Sequence, residues 1–232
     1  MPVRLVPAAG RIVVAMVTRA PAIAQRDVLG SGLTTDQGRS IREALLVDSL
    51  DILRRISNVA PVVVYDPPES RAEIRRLVPP QIAIVGRADG PAVGLLTGAC
   101  RGFLAMGARG VVFLGGSTPD LPASRIRQAV ASLTEDPQRI VLGSGDDGGC
   151  YLLGITGSHG TLLSGITWGA PDVCPRTRRA ARAAGLSVVD LEPWSEVHTL
   201  DDVMRMATRR TRSARRTRAW ARALRRSAPV SG

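Results

Sequence analysis

Short runs of β-branched and aliphatic residues, RIVVAMV, APVVVYD, QIAIVG, GVVFLGG and RIVLGS, recur along the chain with amphipathic stretches between most of them. A strand that is apolar at every position is covered on both faces, and strands alternating with helices build a parallel sheet. The stretch RSIREALLVDSLDILRRIS carries Ile41, Leu45, Ile52 and Ile56 near one face at helical spacing, as a covering helix requires. The pattern predicts a doubly wound α/β domain through about residue 155. Beyond it, LSVVDLE reads as a late strand and HTLDDVMRMA as a closing helix, with Thr199 and Asp202 at capping-box spacing. Residues 18–39 have glycines and polar residues but little periodicity, and read as one long loop.

Charge is distributed unevenly. All 20 acidic residues lie at or before Asp202, whereas ten of the 31 basic residues follow it, so the body is near neutral and the net +11 belongs to the C-terminal end. That distribution argues against a nucleic-acid binder built on the whole domain. Residues 207–232 are expected to form a solvated arginine-rich tail, able to contact an anionic surface, after a domain spanning residues 1–206. Every basic residue is arginine, which excludes lysine Schiff bases and a P-loop lysine. The three cysteines, Cys100, Cys150 and Cys174, have no zinc-type spacing and fit a reduced cytoplasm; Cys100 reads as a helix-packing residue. The first apolar run, IVVAMV, is too short for a signal sequence or a membrane span.

Two turns carry candidate chemistry. FLGGSTPDLP follows a predicted strand, at the place where open α/β sheets bind ligands, with Gly115 and Gly116 allowing backbone to approach a ligand and Asp120 near a helix start. A tight strand-to-helix turn reads equally well. GSGDDGGCYLLGI brings Asp146 and Asp147 against Gly148 and Gly149 before a return strand. Adjacent carboxylates there can hold a divalent cation or deprotonate a hydroxyl; an Asp-Gly hairpin is the other reading.

Taken in order, GGSTPDLP, DDGGCYLLGI, ITWGAPDV and EVHTLDDV resemble a bacterial glycosyltransferase-like subfamily, a domain of unknown function, within the nucleotide-diphospho-sugar transferase superfamily. The resemblance extends over roughly residues 11–206, and more distantly to small guanylyltransferases of cofactor biosynthesis. It implies a Rossmann-like GT-A fold, a three-layer sandwich with a mostly parallel sheet. A nucleotide diphosphate would bind in the N-terminal half and an acceptor in the C-terminal half. Scaffold positions match: Pro119, Leu121, Pro122, Asp147, Gly148, Gly149, Tyr151, Trp168, Val197, Thr199 and Asp202.

Charged positions depart from the pattern. QRDVLG stands where the family has Lys-Thr-Arg-Leu, leaving Arg19 and Arg26 to meet phosphate; Ser117 replaces a metal-binding aspartate and His198 a second one. The implied function is transfer of a sugar or nucleotidyl group from a nucleotide-activated donor to a small acceptor, the alternative being a non-catalytic homologue that binds a nucleotide, a sugar or a partner protein. In the transferase reading, Arg19, Arg26, Gly115, Gly116, Ser117 and Asp120 surround the donor. Asp147 and Asp146 act on the acceptor, Gly148, Gly149, Tyr151 and Trp168 contact it, and His198, Asp147 and Asp120 hold magnesium or manganese.

Overall fold

Seven strands form one sheet in the computed structural model: β1 (Ile12–Arg19), β2 (Val59–Asp66), β3 (Ala83–Gly86), β4 (Gly110–Gly115), β5 (Arg139–Ser144), β6 (Cys150–Thr156) and β7 (Ser187–Leu191). The residues described are 8–22, 29, 32–86, 94–146, 148–157, 162–163, 166, 168, 170–209 and 212–227. The spatial order is β3-β2-β1-β4-β6-β5-β7. Neighbours run parallel except β6, which lies antiparallel between β4 and β5. The apolar runs predict an α/β domain on a parallel sheet, and the mostly parallel, Rossmann-like form is what the family resemblance implies; both agree with this sheet.

The helices are α1 (Thr35–Leu53), α2 (Arg71–Leu77), α3 (Leu95–Ala105), α4 (Ala123–Glu135), α5 (Val173–Ala183), α6 (Leu200–Thr208) and α7 (Arg215–Ser227). Alternate residues of β1 feed the two sides of the sheet. Val14 and Met16 pack with Leu46 and Leu50 of α1 and with Ile126 and Leu133 of α4. Val13 and Ala15 pack with Leu96 and Phe103 of α3 and with Val173 and Ala181 of α5. Both layers are dry, which is why the strands read as continuous apolar runs.

Two boundaries differ from the sequence reading. Helix α1 begins four residues before the stretch the periodicity marks, because Thr34 caps it: the Thr34 hydroxyl accepts from Gln37 N–H, and the Gln37 side chain accepts from Thr34 N–H. The predicted long loop is shortened accordingly. The closing helix α6 has the expected box, with Thr199 and Asp202 in the reciprocal roles.

Where it is described, the arginine-rich end is helix α7 packed on the domain and not a solvated tail. Asp48, on α1, has a side chain only 2% exposed. Its carboxylate accepts from the backbone N–H groups of Arg216 (3.2 Å) and Thr217 (2.8 Å) and from the Thr217 hydroxyl (2.9 Å). These amides belong to the first turn of α7, where a helix has no internal acceptors, so α1 supplies the cap from the other end of the chain. Thr217 and Ala221 are buried beneath, and Ala221 and Trp220 join Ile41, Leu45 and Val203 in a third apolar cluster. The helix keeps its apolar face inward and most of its arginines outward, with Arg218 half-buried, so burial sorts them much as it does on any surface helix.

Asp48→Ala removes the cap and leaves buried amides without an acceptor. The expected loss is about 2 kcal/mol of unfolding free energy in a urea titration, with faster tryptic release of α7. Asp51→Ala, which breaks the more exposed pairs with Arg216 (2.9 Å) and Arg54 (3.6 Å), is expected to change stability by about 0.5 kcal/mol or less.

Candidate active site

Strand order reverses between β1 and β4: β2 and β3 extend to one side, β6, β5 and β7 to the other. The crevice beyond the carboxyl ends of β1 and β4 is where a sheet of this kind receives a ligand. Arg19, exposed, ends β1, and Gly115 ends β4.

The turn after β4 is tightly tied. Gly116 N–H donates to Val17 O (3.1 Å), Ser49 Oγ of α1 donates to Gly116 O (3.1 Å), and Thr118 Oγ1 donates to Gly115 O (3.0 Å). A Cβ on Gly116 would stand 3.2 Å from both Val17 O and Thr18 Oγ1. A Cβ on Gly115 would stand 2.5 Å from a carboxylate oxygen of Glu196. At both glycines a side chain would collide with the protein's own atoms.

Glu196 reaches this place on a strap, residues 192–198, that follows β7 and crosses the carboxyl ends of β5 and β4. Trp194 N–H donates to Ser144 O (3.1 Å), Val197 N–H donates to Ser117 O (2.9 Å), and Ser195 Oγ donates to Asp146. His198 follows, half-exposed, with Nε2 3.9 Å from Glu196 Oε2, while the Glu196 side chain is 9% exposed. The strap thus delivers one carboxylate and one imidazole to the end of β4, above Ser117. Sequence reasoning fixed on His198 and missed Glu196. The signal was present in EVHT, two residues before the histidine.

These features coincide with a family assignment. The model of the bacterial family DUF2064, described as uncharacterized proteins conserved in bacteria, matches residues 49–170, just over half of the chain. The chain belongs to this family. No curated protein matches it in sequence. Among solved structures it is similar to a candidate nucleotide-diphospho-sugar transferase from Desulfovibrio desulfuricans G20, at 23% identity and TM-score 0.79 over 93% of this chain and 95% of that one. The Rv0371c protein of Mycobacterium tuberculosis H37Rv in complex with manganese aligns at 15% identity and TM-score 0.55, over 85% of this chain and 98% of that one. CMP:2-keto-3-deoxy-manno-octonic acid synthetase complexed with CTP aligns at 9% identity and TM-score 0.55, over 85% and 97%. The DUF2064 chain shares with these proteins the fold of nucleotide-diphospho-sugar transferases and cytidylyltransferases.

Several expected site residues of the DUF2064 chain have other duties. The Asp120 carboxylate is 2% exposed and taken up inside the protein, accepting from Arg209 Nη1 (3.0 Å) and Trp194 Nε1 (3.3 Å), so it is withdrawn from metal and donor alike. Tyr151 is fully buried: its ring lies over Gly143, its hydroxyl donates to Glu192 O (2.9 Å), and burial pushes its pKa up to about 12. It cannot touch an acceptor. Gly148, at φ 85°, and Gly149 close a hairpin in which Gly148 N–H donates to Gly145 O (3.2 Å) and Gly145 N–H to Gly149 O (3.0 Å). This is the Asp-Gly hairpin, and it leaves Asp146 exposed at the rim. Trp168 is half-buried against the α3 and α5 layer. Arg26 and Asp147 lie outside the described residues.

Among the described residues no three His, Cys, Asp or Glu side chains gather into a metal-holding group. Asp202, behind the strap, is devoted to holding it. Burial opposes its ionisation, but bonds from the Thr199 hydroxyl and the His198 and Thr199 amides, with Arg205 alongside, outweigh burial and hold its pKa below the ordinary value. No described helix is long and apolar enough to cross a membrane.

Two outcomes follow from this packing. Gly143→Ala drives a methyl group into the Tyr151 ring, 2.4 Å from the nearest ring atom, and is expected to cost about 1–3 kcal/mol in urea unfolding. Gly115→Ala meets only the tip of Glu196, so stability should hold while the carboxylate shifts. A group whose pKa is depressed on folding stabilises above its unfolded value and loses that contribution as pH falls through its folded value. Wild type should therefore lose stability below about pH 4 more steeply than Asp202→Asn, as read by thermal melts across pH.

Proposed function

We propose that this protein is a transferase that moves a sugar or nucleotidyl group from a nucleotide-activated donor to a small acceptor. The observation that carries the reading is the strap: it sets Glu196 and His198 over the end of β4, at the strand-order reversal where such a donor's phosphates would lie. Arg19, with Arg26, would meet the diphosphate, a guanidinium being able to grip phosphate through two parallel hydrogen bonds. With no lysine in the chain, this role falls to arginine.

Divalent cations in such sites are held by one or two carboxylates, completed by substrate phosphates and water. Glu196 and His198 fit that minimal set, and an imidazole donor suits manganese better than magnesium. When bound, the cation would neutralise charge developing on the phosphates. The acceptor would enter from the β5–β6 hairpin, where Asp146 is exposed and Asp147 adjoins it; either carboxylate can draw a proton from a hydroxyl. Trp168 would lie against the acceptor. The exposed arginines of α7, such as Arg222, Arg225 and Arg226, would face an anionic surface.

A second reading, a homologue that binds a nucleotide without turning it over, is favoured by the diversion of Asp120 to Arg209 and Trp194. Calorimetric titration with UDP, GDP, CTP and their sugar conjugates, with manganese, magnesium or EDTA, separates the two. The expected result is manganese-dependent binding of one donor, weakened about tenfold or more by Glu196→Ala and by His198→Ala. Binding with no donor turnover against hydroxyl acceptors supports the binder, and no binding of any nucleotide sinks both readings.

A further inference from the structure

Cys150 and Cys174 are separated by 24 positions in sequence, yet their sulfur atoms are 2.8 Å apart. Cys150 is the first residue of β6, directly after the Asp146–Gly149 hairpin, and Cys174 is in the first turn of α5. Both are buried, Cys150 at 4% and Cys174 at 1% exposure. Two thiols in contact have one reaction open to them that a lone thiol lacks. We propose that Cys150 and Cys174 form a reversible disulfide, a redox-modification site beside the candidate active site.

The surroundings divide the labour between the two sulfurs. Contact with Cys150 lowers the Cys174 pKa most, burial raises it, and Ser144 and Arg178 add to the lowering. The amides of the first turn of α5 also favour a negative charge there. The Cys150 thiol is pushed well above its ordinary range, first by Cys174 and then by burial. In the proposed step Cys174, in the first turn of α5, is the attacking thiolate and Cys150 the resolving thiol.

With hydrogen peroxide as oxidant, the Cys174 thiolate attacks one peroxide oxygen, the O–O bond breaks, and hydroxide leaves, giving a sulfenic acid. The Cys150 sulfur then attacks the sulfenic sulfur, losing its proton as water departs, and the S–S bond forms. Two thiols are oxidised and one peroxide is reduced to water. A dithiol reverses the change by exchange.

The bond would tie the end of the Asp146–Gly149 hairpin to the helix that follows the Trp168 segment, closing the loop between β6 and α5. Cys100 is an internal control: it sits on α3, and burial pushes its pKa up to about 11. This inference does not depend on the transferase reading, because it concerns the thiols alone.

The test treats the full chain with stoichiometric hydrogen peroxide, unfolds it in an alkylating agent and identifies the products by mass spectrometry. Two of the three thiols should escape alkylation, and the peptides bearing Cys150 and Cys174 should appear cross-linked, then separate with dithiothreitol. The oxidised form should also melt about 5 °C or more above the reduced one. Three alkylated thiols after peroxide, sulfinic acid at either cysteine without a cross-link, or a cross-link to Cys100 would each overturn the proposal. Cys174→Ser should leave Cys150 open to alkylation after peroxide; a Cys150 that still disappears there would count against the pairing.

Discussion

The antiparallel insertion of β6 between β4 and β5 is the constraint on which the rest of the structure depends. A parallel strand in that slot would need a crossover and would send its connection to the opposite edge of the sheet. Because β6 returns through a short hairpin instead, Gly145, Asp146, Gly148 and Gly149 sit at the same edge as the ends of β1 and β4. The insertion needs a close fit. Gly143 lacks the side chain that would collide with the Tyr151 ring, and the register shifts between Gly143 and Ser144. Tyr151 then reaches Glu192, where the strap begins. One buried ring thus links the hairpin, the sheet and the segment bearing Glu196 and His198.

Two buried carboxylates perform the equivalent task at the C-terminal end of the chain. Removing a carboxylate from water is costly unless hydrogen bonds and opposite charge replace the solvent. Asp48 obtains them from the first turn of α7, and Asp120 from Arg209 and Trp194, with the Arg209 guanidinium 5.5 Å from the centre of the Trp194 ring. A segment that would otherwise repel itself is held by two acids far away in sequence. The charge imbalance of the whole chain is thereby carried on one folded surface.

The parts legible in the sequence are those set by neighbours along the chain. Continuous apolar runs marked the strands from β1 to β5, and the Thr199–Asp202 spacing marked the start of α6. The parts that were not legible depend on partners far away. Nothing local distinguishes Asp120 as an internal ligand of Arg209, or Tyr151 as a core ring, because 89 positions separate the first pair and the second answers to a glycine on another strand. The early start of α1 is a different case. TTDQ is a capping box in plain view, passed over because its apolar periodicity begins only several residues later. Glu196 lies between these cases: a family pattern pointed to the neighbouring His198, but only the path of the strap shows which carboxylate stands at the end of β4.

That path bears on how the site can manage charge. On the family resemblance Ser117 and His198 stand where acids are expected, and with Asp120 turned inward Glu196 is the described carboxylate that reaches the end of β4. A site with fewer fixed negative charges repels a diphosphate less strongly, and so needs less cationic compensation to admit it. In the proposed reading, arginine takes a larger share of that compensation and the metal a smaller one. In that reading, the departures that the resemblance places at Ser117 and His198 would lower the electrostatic barrier to binding the donor.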